Sequence, residues 1–139
     1  MVNYSFVVPG DPQGKARPRV VRRGDRTYSY TPEKTREYEQ SVRAACADAA
    51  PDICAGAVAV RIVAHMPIPD SWSTVKKGRA LAQMIRPVVK PDLDNIAKAV
   101  LDGMNGVAWE DDKQVVSLRV EKTYSAVPRV VVEVWEVKE

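Results

Sequence analysis

Aspartates and lysines cluster in one short stretch that begins at Lys90. This stretch, called here the acidic motif (residues 90–112), contains Lys98 among the aspartates Asp92, Asp94, Asp102, Asp111 and Asp112. Crowded carboxylates repel one another, so such a group usually needs a compensating cation. Because the donors are oxygen atoms, a hard ion such as Mg²⁺ suits them. The motif therefore predicts a magnesium site.

Basic residues are concentrated in another part of the chain, although the net charge is only +3. Between residues 15 and 26, one acid, Asp25, faces Lys15, Arg17, Arg19, Arg22, Arg23 and Arg26. Such a segment attracts the phosphates of a nucleic-acid backbone. A magnesium ion can activate water and neutralise charge on a phosphate, while Lys and Arg hold the backbone. The combination favours a metal-dependent nuclease.

Length and composition predict a single domain spanning residues 1–139, since 45% of the residues are hydrophobic and 28% are charged. Cys46, Cys54 and His65 fit no zinc-binding spacing, so zinc is not expected. A disulfide stays open beside the interpretation of both cysteines as small buried hydrophobes. The sequence contains no signal-peptide pattern or long apolar run. We therefore expect a cytoplasmic protein with no membrane contact and no small-molecule cofactor.

Hydrophobic periodicity predicts an α+β fold with helices packed on a mixed sheet, in the order strand, helix, strand, helix, strand, strand. A Thr-Pro-Glu sequence predicts the start of the first helix, with Thr31 as N-cap and Pro32 in the first helical position. We further expect an exposed loop with a short hairpin at residues 11–26 and a short basic helix capped by Ser73. The predicted strands are Tyr4–Val8, Ala57–Met66, Gln114–Tyr124 and Arg129–Val137, and the helices are 32–50 and 94–104.

The second long helix positions the acidic motif. If it begins near Asp94, then Asp92 lies just outside it and both carboxylates can converge on a helix N-terminus, which favours negative charge. Lys98 is one turn past Asp94 on the same face, and Asp112 can fold back after Gly106. We predict Asp92, Asp94 and Asp112 as Mg²⁺ ligands. Lys98 is predicted to orient the attacking water or to stabilise charge on the phosphate.

Each of these acids also has an ordinary structural interpretation. Asp92 or Asp94 alone is more often a helix cap than a ligand. Asp102 could pair with Lys98 on a solvated helix face. Asp111 and Asp112 could be turn acids. Spacing alone leaves both interpretations open.

A family resemblance adds to this interpretation. The acidic motif reads KPDLDNIAKAVLDGMNG from Lys90, then DDKQV from Asp111. It resembles the signature of the RusA family of Holliday junction resolvases. The segments PQGKARPR from Pro12, YTP from Tyr30 and MPIPDSWS from Met66 resemble the phage-type branch of that family. The resemblance covers nearly the whole chain.

The resemblance implies a homodimeric, Mg²⁺-dependent crossover junction endodeoxyribonuclease that cuts four-way DNA junctions by paired nicks in recombination and repair, with Mn²⁺ able to substitute. The metal-binding aspartates of the family match Asp92, Asp94 and Asp112, and its essential lysine matches Lys98. The remaining polar residues of the motif are expected to support the ligands through hydrogen bonds; they are Asn95, Asp102 and Asp111.

Basic residues outside the motif are the expected contacts to branched DNA. A first group is Lys15, Arg17, Arg19, Arg22 and Arg23, and a second is Lys76, Lys77, Arg79 and Lys90. Tyr28, Tyr30 and Trp72 could stack on unpaired bases, although packing is the commoner role. His65 is expected to be structural.

Two other hypotheses stay open. Pro91-Asp92 with Asp111-Asp112-Lys113 fits a generic PD…DxK nuclease pattern, which would move the catalytic lysine from Lys98 to Lys113. Alternatively, the protein binds branched DNA without cutting it. A small-molecule phosphohydrolase is disfavoured because no glycine-rich phosphate loop is present.

Overall fold

A computed structural model describes residues 3–16, 18–30 and 32–138. The elements, in chain order, are β1 (Tyr4–Pro9), β2 (Arg19–Arg23), β3 (Arg26–Tyr30), α1 (Glu33–Ala49), β4 (Val58–Pro67), α2 (Thr74–Leu81), α3 (Leu93–Met104), a 3₁₀ turn (Asp112–Gln114), β5 (Val115–Ser125) and β6 (Arg129–Glu136). The predicted α+β class is confirmed, and each predicted strand and long helix is present. The hairpin β2–β3 and the short helix α2 complete the set.

The main sheet is mixed and has the strand order β1-β6-β4-β5. β4 pairs in parallel with β5 and antiparallel with β6, and β1 pairs antiparallel with β6. β5 and β6 follow each other in the chain, yet β4 lies between them. Two neighbours explain why β4 is apolar along most of its length, with Val58, Val60 and Ile62 fully buried.

The core lies between this sheet and the helices α1 and α3. Alternate residues of β6, namely Val130, Val132 and Val134, are buried, as strand periodicity predicts. The helices approach closely at Gly103 of α3: a Cβ there would lie 2.7 Å from the Cβ of Val42 in α1. Only a residue without a side chain fits this crossing.

The ends of the helices differ slightly from expectation. α1 begins at Glu33 with Pro32 in the N-cap position, so the predicted start is one residue too early. The predicted cap Thr31 lies outside the described residues. Ser73 caps α2 as predicted, because its Oγ accepts a hydrogen bond from the Lys76 backbone N–H at 3.2 Å.

The hairpin β2–β3 stands apart from the core. Its strands pair antiparallel, with Val21 opposite Tyr28, and every residue of β3 is exposed. Gly24 in the connecting turn has φ +62°, a conformation that glycine adopts without strain. The predicted short hairpin is thus confirmed and is longer than expected, whereas the predicted exposure of the loop is wrong for residues 12–16, which are buried or half-buried against the helices. Across residues 3–16, 18–30 and 32–138, no helix has the length and apolar character needed to cross a membrane.

Candidate active site

The start of α3 presents two aspartates to solvent. Asp92 occupies the N-cap position in an extended conformation (φ −70°, ψ 154°), and Asp94 lies in the first turn. The Asp92 carboxylate makes no capping hydrogen bond to the helix. In the part of the chain that the structure describes, neither carboxylate has a hydrogen-bond or ion-pair partner. Both therefore stand free at the end of the helix where the backbone dipole favours negative charge.

The segment that leads into α3 is held by β5. The Lys122 Nζ donates hydrogen bonds to the carbonyl oxygens of Val89 at 2.8 Å and Pro91 at 3.1 Å. These charge-assisted bonds fix the chain immediately before Asp92. Lys122 was not predicted to have a role, because a lysine within a strand carries no local sign of a partner about thirty residues away.

A turn ahead of β5 places the second pair of aspartates. Asp111 Oδ1 accepts a hydrogen bond from the Lys113 backbone N–H at 2.9 Å, and this bond lowers the pKa of the exposed Asp111 carboxyl. The structural interpretation of Asp111 as a turn acid is therefore borne out. Asp112 is half-buried in the 3₁₀ turn that follows.

Gln114 stabilises the same turn from inside. Its Oε1 accepts hydrogen bonds from the backbone N–H groups of Glu110 at 3.0 Å and Asp111 at 3.2 Å. Its Nε2 donates to the carbonyl oxygens of Cys54 at 2.8 Å and Gly56 at 2.9 Å. Gln114 was not predicted to have a role, although its position three residues after Asp111 is the spacing of a capping box.

An ion-pair chain links the N-terminal loop to α3. Asp102 Oδ1 lies 3.2 Å from the Lys98 Nζ, so the predicted helix-face pair is present. Asp102 Oδ2 lies 3.2 Å from the Lys15 Nζ, which also contacts Glu39 of α1. Burial lowers the pKa of Lys15, but the hydrogen bonds and charges of Glu39 and Asp102 outweigh it and raise that pKa above 10.5. We call these four residues the seam cluster, because they lie where α1 and α3 meet.

The donor chemistry of the acidic motif fits Mg²⁺. Among residues 3–16, 18–30 and 32–138, no three or more His, Cys, Asp or Glu side chains are gathered closely enough to hold a metal ion. The structure thus does not bring Asp92, Asp94 and Asp112 together, and their role as ligands stays a prediction. Mg²⁺ usually binds through one or two carboxylates together with water and substrate phosphates. The free pair Asp92 and Asp94 satisfies this requirement.

The first predicted DNA-binding group divides into different environments. Lys15 lies in the seam cluster, with only 20% of its side chain exposed. Arg22 and Arg23 are exposed on the hairpin. Arg17 lies outside the described residues, as does the side chain of Arg19.

The second predicted group surrounds α2 and the start of the acidic motif. The Lys76 ammonium lies 4.0 Å from the centre of the Trp72 ring, a cation–π contact. Trp72 also packs edge-on against Tyr124 at 5.3 Å, which fits packing better than base stacking. Lys77 is half-buried, whereas Arg79 and Lys90 are exposed.

The remaining residues singled out from the sequence are placed as follows. Asn95 is exposed, and its backbone carbonyl accepts the Lys15 N–H at 2.9 Å. His65 is half-buried on β4, where burial and the charge of Arg129 lower its pKa. Cys46 and Cys54 are both free thiols. Tyr28 and Tyr30 remain about half exposed on the hairpin, at 49% and 47%.

Free carboxylates at a helix start and exposed arginines elsewhere on the surface are features of proteins that act on phosphodiesters. The family model for endodeoxyribonuclease RusA matches residues 9–135, and the chain belongs to this endodeoxyribonuclease family. The chain is also 37% identical over 135 residues to the uncharacterized protein YqaN of Bacillus subtilis strain 168, a match that covers 95% of each chain. Family membership agrees with the resemblance seen in the acidic motif.

Proposed function

We propose that this protein is a Mg²⁺-dependent endonuclease that resolves four-way DNA junctions by paired symmetric nicks. The observation that carries the proposal is the start of α3. There Asp92 and Asp94 are exposed, and the Asp92 carboxylate is not used as a cap. A structural role for a carboxylate usually shows as a hydrogen bond or ion pair. Membership of an endodeoxyribonuclease family supports a role in DNA cleavage instead.

The start of α3 and the turn before β5 supply the parts that hydrolysis requires. Asp92 and Asp94 would hold the ion, with Asp112 as the predicted third ligand. When bound, Mg²⁺ supplies a Lewis acid that activates water and offsets charge on the phosphate. The Lys98 ammonium, one turn past Asp94, orients the attacking water or stabilises negative charge in the transition state. A bond forms from the water oxygen to phosphorus, the bond to the 3′ oxygen breaks, and a ligatable 5′-phosphate nick results.

Basic side chains on other elements hold the branched DNA. Arg22 and Arg23 on the hairpin and Lys90 beside Asp92 are exposed and available to phosphates. Two copies of the chain in a homodimer would place two sites on opposing strands, so the two-fold symmetry of the protein would match the pseudo-two-fold symmetry of the junction. The same proposal includes a single-domain protein that is located in the cytoplasm. Its paired nicks would serve DNA recombination and repair.

The test is cleavage of a labelled four-way junction beside a linear duplex of matching sequence, in Mg²⁺, in Mn²⁺ and in EDTA. We expect symmetric nicks in the junction alone, with either metal, and none in EDTA. Asp92→Asn is the matched inactive control, and sedimentation reports the dimer. Binding without cutting in any divalent metal would favour the alternative of a non-catalytic junction-binding protein.

The second candidate mechanism places the catalytic lysine at Lys113. The observation in its favour is that Lys113 is exposed next to Asp112, whereas Lys98 is engaged by Asp102. Lys98→Met and Lys113→Met distinguish the two mechanisms. We expect Lys98→Met to lose cleavage and Lys113→Met to retain it; the reverse result would identify the PD…DxK mechanism.

A further inference from the structure

The basic loop before the hairpin is docked on the protein and does not project into solvent. Gly14 packs against α3 so closely that a Cβ would lie 2.8 Å from the Cβ of Pro91 and 3.1 Å from that of Asn95. The next residue, Lys15, donates its N–H to the Asn95 carbonyl at 2.9 Å. The Ala16 N–H then reaches Thr35 Oγ1 of α1 at 3.4 Å. Three successive residues thus fasten the loop across both helices.

This docking directs the Lys15 side chain into the seam between α1 and α3. Its ammonium lies between the carboxylates of Glu39 and Asp102, and all three side chains are about four-fifths buried. The negative charges of these two carboxylates oppose the approach of a DNA phosphate to this ammonium. The exposed guanidinium of Arg22 on the hairpin meets no such obstacle.

Asp102 is shared between two lysines. One oxygen contacts Lys15 and the other contacts Lys98, each at 3.2 Å. The Lys98 side chain is 57% exposed, so on its own it would sample many rotamers. A lysine placed four residues before an acid is also the weaker orientation of a helical pair. A carboxylate that Lys15 already holds in place restrains Lys98 better than a mobile one.

We propose that Asp102 positions the Lys98 ammonium for cleavage, and that Lys15 fixes Asp102 in the orientation this requires. Lys15 is then a positioning residue, in place of the phosphate contact expected from its position in the basic segment. This inference rests on the proposed function, since it assigns Lys98 a part in cleavage. It adds Glu39 to the same arrangement, because the Glu39 carboxylate is the second negative charge that faces Lys15.

Two measurements separate a positioning residue from a phosphate contact. Loss of a phosphate contact weakens binding and lowers the slope of log affinity against log salt by about 1. Loss of a positioning residue leaves the junction affinity and the salt slope unchanged and slows cleavage of the bound junction. Junction affinity is therefore measured in EDTA at several salt concentrations, and single-turnover cleavage is measured in Mg²⁺ with the enzyme in excess.

For Lys15→Met we expect cleavage about tenfold slower, in the range found when supporting residues around a metal site are changed. Affinity should stay within about twofold, and the salt slope should not change. Asp102→Asn should slow cleavage similarly, and the double variant should be no slower than the worse single one, because the residues act as a unit. Lys15→Arg should recover most of the rate.

Two other substitutions of a basic residue by methionine serve as controls. Arg22→Met, on the hairpin, shows what loss of a phosphate contact does to affinity and slope. Lys34→Met removes an exposed lysine of α1 and shows the effect of charge alone. If Lys15→Met does not fold, Lys15→Gln replaces it, since it keeps a hydrogen-bond donor for the same carboxylates.

The outcomes are distinct. A Lys15→Met protein that cuts at the wild-type rate once bound, but binds weakly with a lower salt slope, would overturn the inference and leave the proposed function intact. Additive losses for Lys15→Met and Asp102→Asn would overturn it as well. A wild-type protein that cuts no junction in any divalent metal would overturn the proposed function and this inference together.

Discussion

The docked loop at residues 13–16 and the hairpin β2–β3 belong to one basic run of the sequence but differ physically. Lys15 in the loop is mostly buried between two carboxylates. Arg22 and Arg23 in the hairpin are exposed. Neighbouring cations in a sequence thus need not share a role, since the first holds helices and a carboxylate in place and the others are free to meet a phosphate.

The largest effect is expected at the helix start beside the docked loop. Asp92→Asn or Asp94→Asn should reduce cleavage more than about a hundredfold, because a neutral amide holds Mg²⁺ poorly. Junction affinity in EDTA should be equal or higher, since one negative charge facing the phosphates is lost. Gel-based cleavage and binding assays measure the two effects. A fully active Asp94→Asn protein would contradict the site assignment.

The next effect concerns the packing beneath the seam cluster. Gly103→Ala places a Cβ 2.7 Å from Val42 and 2.9 Å from the Glu39 carbonyl, so α1 and α3 must move apart. Overpacking of this kind costs about 1–3 kcal/mol of unfolding free energy. Gly78→Ala in α2 is the matched control, because nothing lies within 4 Å of its Cβ, and it should stabilise the protein by about 0.5–1 kcal/mol. Urea unfolding measures both, and equal stability of the two variants would refute the tight crossing.

A smaller effect is expected on the hairpin. Arg22→Ala and Arg23→Ala should each weaken junction binding and lower the salt slope by about 1. The melting temperature should hardly change, because these side chains are exposed and the hairpin lies outside the core. Titrations at several salt concentrations, with a linear duplex alongside, measure the effect. Unchanged slopes in both variants would remove the hairpin from the DNA-binding surface.

The smallest effect is a pH dependence of the docked loop. The seam carboxylates raise the pKa of Lys15 above its unfolded value of 10.5. Its ion pairs therefore contribute their full stability below pH 10.5 and lose it as the pH rises through the folded pKa. The difference in unfolding free energy between wild type and Lys15→Met should shrink from pH 8 to pH 11. In Lys15→Arg the stability should persist, since arginine stays charged; a difference independent of pH would contradict the ion pairing.

Local patterns in the sequence predicted the elements well. Alternating valines at residues 130–134 specify one face of a strand, and the spacing of Ile96, Ala99 and Val100 specifies one face of α3, because both periods follow from backbone geometry. The insertion of β4 between β5 and β6 was not predictable in this way. Strand order depends on which surfaces pack together, and a period of two carries no information about neighbours.

In the candidate site, too, local positions were predictable from the sequence and long-range contacts were not. Asp94 and Lys98 lie in one helix and Asp92 is its N-cap, so their spacing places them directly. The partners Lys15–Glu39 and Lys122–Pro91 are 24 and 31 residues apart, and no short-range signal joins them. The residues proposed to carry out chemistry were visible as a motif, whereas the residues that contact the segments around them became visible only through tertiary contacts.

The contact of Gly14 with Pro91 and Asn95 has a consequence for how such proteins can vary. The chain leaves β1 at Pro9 and must reach α3 by Gly14, so the intervening stretch has a fixed length. An added or lost residue there would shift Lys15 away from Asp102. The tip of the hairpin at Gly24–Asp25 meets no such constraint. Among relatives, insertions and deletions should therefore collect at the hairpin tip and be absent between Pro9 and Lys15.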